Sequence, residues 1–177
     1  MRGEFLEAQF EQAAADYYYL LNKSYPEKRT RGLIADRYKL NTAKRTVLYR
    51  GVFSAAVNQE RFNKKISASE AKGHSLCIDG LNIIYLIMNY LYGRNLFIAT
   101  DMFLRDDGEN YTNFSSYTFF SRTLTLIAEA LFRIGPSAVE VVLDHPHTKL
   151  PFEELENSDE LQELLSSEHI DMRTVLS

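Results

Sequence analysis

The chain carries a single cysteine and no tryptophan among its 177 residues. One cysteine leaves no partner for an internal disulfide, so a reducing cytoplasm is the expected location. No stretch reaches the roughly 18 uninterrupted apolar residues that a membrane span requires, and no membrane partner is expected. The opening residues, MRGEFLEAQFEQ, mix charge into every turn and lack the apolar centre of a secretion signal. Asn22, Asn110 and Asn113 head glycosylation-like triplets, which are chance matches without secretion. There is no Gly-x-Gly-x-x-Gly and no P-loop, which argues against dinucleotide binding and nucleoside-triphosphate hydrolysis.

Core material is plentiful, with 45% hydrophobic residues, 11 tyrosines and 11 phenylalanines. The net charge of −4 conceals an asymmetry. Residues 23–65 hold twelve bases against three acids, whereas residues 100–177 hold five bases against fifteen acids. Two segments of opposite sign suggest different partners for the two halves, although charge runs are often only solvated faces.

Hydrophobic spacing divides the chain at about residue 65. In the first part, FLEAQFEQAAADYYYLLNKSY places Phe5, Leu6, Phe10, Ala13, Ala14, Tyr17, Leu20 and Leu21 at helical intervals. Pro26 opens a second helix, PEKRTRGLIADRYKL, and Asn41 or Thr42 caps a third, AKRTVLYRGVFSAAVNQERF. Residues 1–65 therefore read as a basic three-helix region, followed by a linker, NKKISASEAKG. Residues 66–177 change rhythm. SLCID, NLFIATD, AVEVVLD and IDMRTVLS read as strands. Between them, NIIYLIMNYLYG, SYTFFSRTLTLIAEALFRIG and the acidic PFEELENSDELQELLSSE read as helices. Alternation of this kind predicts an α/β domain with a parallel sheet and helices on both faces. The chain stops at Ser177 while still strand-like, so this domain is expected to be truncated at its C-terminal end.

In open α/β sheets, ligands bind outside the carboxyl ends of the strands. Three of these strands end in an aspartate: Asp79, Asp101 and Asp144. Crowded carboxylates stay ionised when a cation sits among them, and hard oxygen ligands suit Mg²⁺ or Mn²⁺. Asp106 is a further candidate ligand. In the corner Asp79-Gly80-Leu81-Asn82, Asn82 is expected to cap the following helix or to hold a water or phosphate. The plain alternative for Asp79 is a helix cap or turn residue. His145 and His147 flank Pro146, but no Cys or third His stands at zinc-like spacing. Cys77 is expected to face a core, and YYYLL to serve helix packing, with Tyr18 or Tyr19 available for exposure.

The stretch LCIDGLNIIY resembles the Asp-Gly-x-Asn opening of the NYN branch of PIN-like nucleases, and SRTLTLIAEALFRIGPSAVEVVLD resembles their long helix, turn and strand ending in a second acid. The chain as a whole resembles the domain-of-unknown-function 434 family. DYYYLLNKSYPEKRTRGLIADRYKLNTAKRTVLYRGVF, IDGLN, DMFLRD and VLDHPHTK follow that family's pattern in order. The nuclease resemblance implies a Rossmann-like, three-layer parallel sheet, with Asp79 and Asp144 as metal ligands and Asn82 positioning substrate or the Asp79 loop. Such sites usually hold three or four acids. Glu129 is the one acid on the middle helix, so Asp101 or Asp106 would have to substitute.

The function expected from this reading is a metal-dependent ribonuclease using Mg²⁺ or Mn²⁺, with RNA as partner. Asp79, Asp144 and Asn82 would form its catalytic site. Arg29, Arg31, Arg37, Lys44 and Arg45 would grip the phosphate backbone, and Arg105 or Lys149 would touch the phosphate being cut. The alternative is a non-catalytic nucleic-acid-binding or adaptor protein, its second and third helices resembling a helix-turn-helix. A third reading is an interaction domain whose opposite charges drive assembly into a homodimer.

Overall fold

The N-terminal sequence builds four helices where periodicity suggests three. The structure, a computed structural model, describes residues 7–107, 119–145, 166 and 170–176. Helix α1 (Ala8–Asn22) buries Phe10, Ala13 and Tyr17, which share one face by their three-and-four spacing. Helices α2 (Glu27–Arg37) and α3 (Thr42–Gly51) close over that face with Ile34, Leu40, Val47 and Leu48. Asn41 starts α3 by accepting the Lys44 backbone N–H at 2.9 Å. The expected third helix then breaks. Val52 turns extended (φ −116°, ψ 118°), and the Ser54 hydroxyl caps a fresh helix, α4 (Ala55–Lys64). The break falls beside a close approach: a Cβ on Gly51, the last residue of α3, would lie 2.8 Å from Cε2 of Phe97. Glycine there lets the Phe97 ring reach the helical core.

Phe97 belongs to β2 (Leu96–Ile98), which pairs antiparallel with β3 (Leu104–Asp106). This hairpin is a correction to the expected topology, because NLFIATD does not join the parallel sheet. Its residues cluster with the helices instead, so one unit comprises residues 1–65 and 95–109 and the other residues 66–94 and 110–177. The Thr100 N–H donates to the Gly51 carbonyl at 2.8 Å. The linker between the two parts contains a short helix, α5 (Ala68–Ala71), opened by a capping box between Ser67 and Glu70.

In the second unit, β1 (Ser75–Asp79) leads into α6 (Gly80–Leu91), and α7 (Phe120–Ile134) into β4 (Ala138–His145). Strand β5 (Ile170–Leu176) completes a parallel sheet of order β1-β4-β5. Phe120, Leu124, Ala128 and Leu131 recur along one side of α7 and join Ile84 and Met88 of α6. These side chains pack on Val139 and Val141 of β4 and on Leu76 and Ile78 of β1. Gly135 ends α7 in the left-handed region at φ 68°, a conformation glycine adopts without steric cost. Its carbonyl accepts the Gly73 N–H at 2.8 Å, while Ser137 N–H donates to the His74 carbonyl at 3.0 Å. Those two bonds fix the start of β1 beside the start of β4 and so set the register between them.

The chain is thus mixed α/β, mostly helical, with a small parallel sheet. Because strand side chains alternate, Leu76 and Ile78 face the helices while Ser75, Cys77 and Asp79 are exposed. Cys77 therefore faces outward, against the expectation of a core position. Of the expected acidic helix from Pro151, all but Ser166 lies outside the described residues.

Candidate active site

Asp79 ends β1 on its exposed side and immediately caps α6. Its carboxylate accepts the Asn82 backbone N–H at 3.4 Å and the Asn82 side-chain amide at 2.6 Å. The cap is Asp79 and not Asn82, a correction to the sequence reading. Asn82 instead bonds back and fixes the carboxylate's orientation. A negative group here also suits the positive end of the helix dipole. No cation among the described residues pairs with Asp79.

Parallel register locates Asp144 relative to this corner. Asp79 stands opposite Val142 of β4, and Asp144 follows two positions later. With a rise of about 3.3 Å per residue and a strand spacing of about 4.8 Å, the two Cα atoms lie roughly 8 Å apart. The Asp144 side chain, like those of His145 and all of β5, is outside the described residues, as are His147 and Lys149 entirely. The same register sets Glu140 opposite Cys77 on one side and opposite Asp171 on the other. Glu140 escaped the sequence reading because it stands inside a strand, where only pairing reveals its neighbours. Among the described residues, no group of three or more His, Cys, Asp or Glu is gathered in metal-binding geometry.

Asp101 and Asp106 belong to the other unit, and arginines occupy both. The Asp101 side chain is fully buried and accepts from Arg61 at 2.6 Å and from Arg105. Its other oxygen accepts the Phe103 N–H at 3.2 Å. Burial alone raises this carboxyl, but the Arg61 bond, the Phe103 N–H and Arg105 outweigh it and hold it below its ordinary value. Both guanidinium groups also stack on Phe53, with centroid distances of 4.0 Å for Arg61 and 5.1 Å for Arg105. Arg50 meets the Asp106 carboxylate at 3.2 Å and its carbonyl at 3.2 Å. Two acids so neutralised by cations do not fit a metal-ligand role. Glu129 likewise stands near Arg122 and Arg133, at 3.8 and 3.9 Å.

The candidate phosphate-binding cations are mostly engaged too. Arg31 bonds Glu27 and stacks over Tyr49 at 5.2 Å. Lys44 pairs with Glu7 at 2.8 Å, and Arg45 with Asp36 at 2.9 Å and the Leu40 carbonyl at 2.8 Å. Arg37 is exposed beside the Tyr38 ring at 5.7 Å. Arg29 is exposed and pairs with no acid among the described residues. Two residues on a helix turn through about 200°, so Arg29 and Arg31 project from opposite sides of α2.

The class defined at this point is a mixed α/β protein with an acidic corner at the carboxyl end of a parallel strand pair. The chain belongs to the family described as "Domain of unknown function (DUF5616)", whose model matches residues 68–173. Residues 9–64 match a second model, "Protein of unknown function (DUF434)". The boundary between the two matches falls in the same stretch as the boundary between Lys65 and Ile66. The chain is 24% identical over 129 residues to the uncharacterized protein MJ0935 of Methanocaldococcus jannaschii, a match covering 73% of this chain. It spans 62% of the length of that relative. No solved structure matches the chain.

Proposed function

We propose that the protein is a metal-dependent nuclease acting on RNA, with its site at the carboxyl ends of β1 and β4. The observation that carries this reading is the register that brings Asp144 to within two positions of the residue opposite Asp79. The parallel order β1-β4-β5, with α6 and α7 packed on one face, supplies two layers of a PIN/NYN-like domain; the expected second layer of helices is not found among the described residues, where Ser75, Cys77 and Asp79 leave the other face exposed.

The donor chemistry of the corner fits a hard cation. Asp79 is exposed, carries no neutralising arginine or lysine among the described residues, and is held in one orientation by Asn82. Asp79 and Asp144 would hold Mg²⁺ or Mn²⁺. When bound, such an ion activates water and stabilises charge on a phosphate under attack. Asn82 keeps the Asp79 carboxylate from rotating away, which preserves a preorganised ligand. Arg29 and Arg37, exposed on α2, remain available for phosphate contacts that confer affinity without sequence readout.

The second reading, a binding or adaptor protein without catalysis, draws on the same corner. Asp79 already satisfies the N-terminus of α6, a complete structural role. The helix-turn-helix form of that reading is less well supported, because Lys44 and Arg45 of α3 are committed to Glu7 and Asp36.

The deciding experiment is cleavage of RNA and single-stranded DNA with Mg²⁺ or Mn²⁺ by the wild type and Asp79→Asn. Metal-dependent cutting of RNA that vanishes in the variant is expected. No cutting by either, with equal and salt-sensitive binding by both, would overturn catalysis in favour of the adaptor.

A further inference from the structure

Helix α4 buries none of its ten residues, yet it is tethered at several points. The Ala55 N–H donates to the Asn22 side chain at 2.9 Å, Asn58 accepts from Thr100 at 3.1 Å, and Arg61 reaches the buried Asp101. These polar ties hold the helix in place while its Ala55, Asn58, Gln59 and Phe62 stripe lines an open cleft of about 250 Å³. The opposite walls are Tyr18 of α1 and the hairpin turn Thr100–Asp101–Met102. Tyr18, Phe62 and Met102 keep 38%, 60% and 64% of their surface exposed.

Met102 stands at the edge of the cleft. It adopts φ 65°, a left-handed conformation that favours glycine, and its side chain stays exposed. The hairpin turn sets that φ: Met102 N–H donates to the Ala99 carbonyl at 2.9 Å and Ala99 N–H to the Phe103 carbonyl at 3.0 Å, the bonds of a three-residue loop whose last residue is left-handed. Two aromatic rings, a thioether and the Gln59 amide suit a flat ligand with apolar faces and a polar edge. The charge nearby favours an anionic strand over an apolar peptide. Asp101 in the wall is met by two cations, Arg61 and Arg105, and Lys65 follows α4; Lys64 is paired with Glu60 at 2.6 Å.

We infer that this cleft takes one unpaired nucleobase of an RNA strand, stacked between Tyr18 and Phe62, with Met102 at its mouth. The inference rests on the nucleic-acid reading above and adds a site in the first unit that selects unpaired strands. Stacking on an aromatic tolerates any sequence, because every base offers a flat face.

The test is fluorescence anisotropy of the full chain, in chelator, with a labelled uridine oligomer and an abasic ribose-phosphate oligomer of equal length. The uridine oligomer is expected to bind about tenfold or more tightly, and Phe62→Ala or Tyr18→Ala to abolish that preference. Met102→Gly is expected to raise the melting temperature by relieving φ while weakening uridine binding, which separates ligand contact from folding. Equal, salt-sensitive binding of both oligomers, or a preference unchanged in Phe62→Ala, would overturn the cleft and leave the nucleic-acid reading standing. Binding of neither oligomer would overturn both.

Discussion

Asp79 and Asp101 look alike in the sequence, since each follows a short apolar stretch and precedes a turn or helix. In the fold they have opposite surroundings. Asp101 is fully buried, and its charge is met by Arg61 and Arg105. Asp79 is exposed, and neutral amide donors from Asn82 are its partners. An acid already matched by two guanidinium groups stabilises its own unit and has little left for a cation. An acid held by amides has no cation matched to it among the described residues. The role of a carboxylate is thus decided by the cations around it, and strand-end position alone does not reveal those.

Breaking the buried cluster should produce the largest effect. Asp101→Asn leaves two arginines without a counter-charge and is expected to cost about 2 to 3 kcal/mol in urea unfolding. The figure sits below that for a wholly buried pair because Arg61 and Arg105 retain 38% and 27% exposure. Asp79→Ala, which deletes only a helix cap, is expected to cost about 1 kcal/mol, and Asp79→Asn a few tenths, since asparagine caps nearly as well. Equal losses at Asp101 and Asp79 would erase the contrast between the two sites.

The same contrast is sharpened by pH. The Asp101 carboxyl is held below its ordinary value of 3.8 in the folded chain. A depressed folded value means the unfolded chain binds the proton first as pH falls. The stability Asp101 contributes is therefore present above about pH 4 and lost as pH drops through the lower folded value. Asp101→Asn is expected to flatten that acid limb in urea melts at a series of pH values. An unchanged limb would show that other carboxylates govern it. Smallest of all, Lys64→Gln removes an exposed pair with Glu60 and is expected to leave the urea midpoint almost unchanged.

Much of the second unit was legible in the sequence because its elements are long or strongly periodic. The side of α7 carrying Phe120, Leu124, Ala128 and Leu131, the β-branched run of β4 and the cap signal Asp-Gly-x-Asn each identify their element locally. The errors arose where a distant residue decides. A three-residue apolar strand such as β2 does not disclose whether its partner is parallel or antiparallel, and the close approach of Phe97 to Gly51 exists only in the fold. Charge runs posed the same problem. Arginine and lysine are plain to read at Arg31, Lys44 and Arg45, but Lys44 finds its acid 37 residues away at Glu7. At the acidic corner, Asp79 and Asp144 were legible as strand ends. Glu140 was not, because its nearness to Cys77 exists only in the register.

The most direct measurement is calorimetric titration of Mn²⁺ into the wild type, Asp79→Asn and Asp101→Asn, at a temperature where all three are folded. The account expects Asp101→Asn to bind Mn²⁺ like the wild type and Asp79→Asn to lose at least tenfold in affinity. Wild-type affinity in Asp79→Asn, or a loss confined to Asp101→Asn, would contradict it.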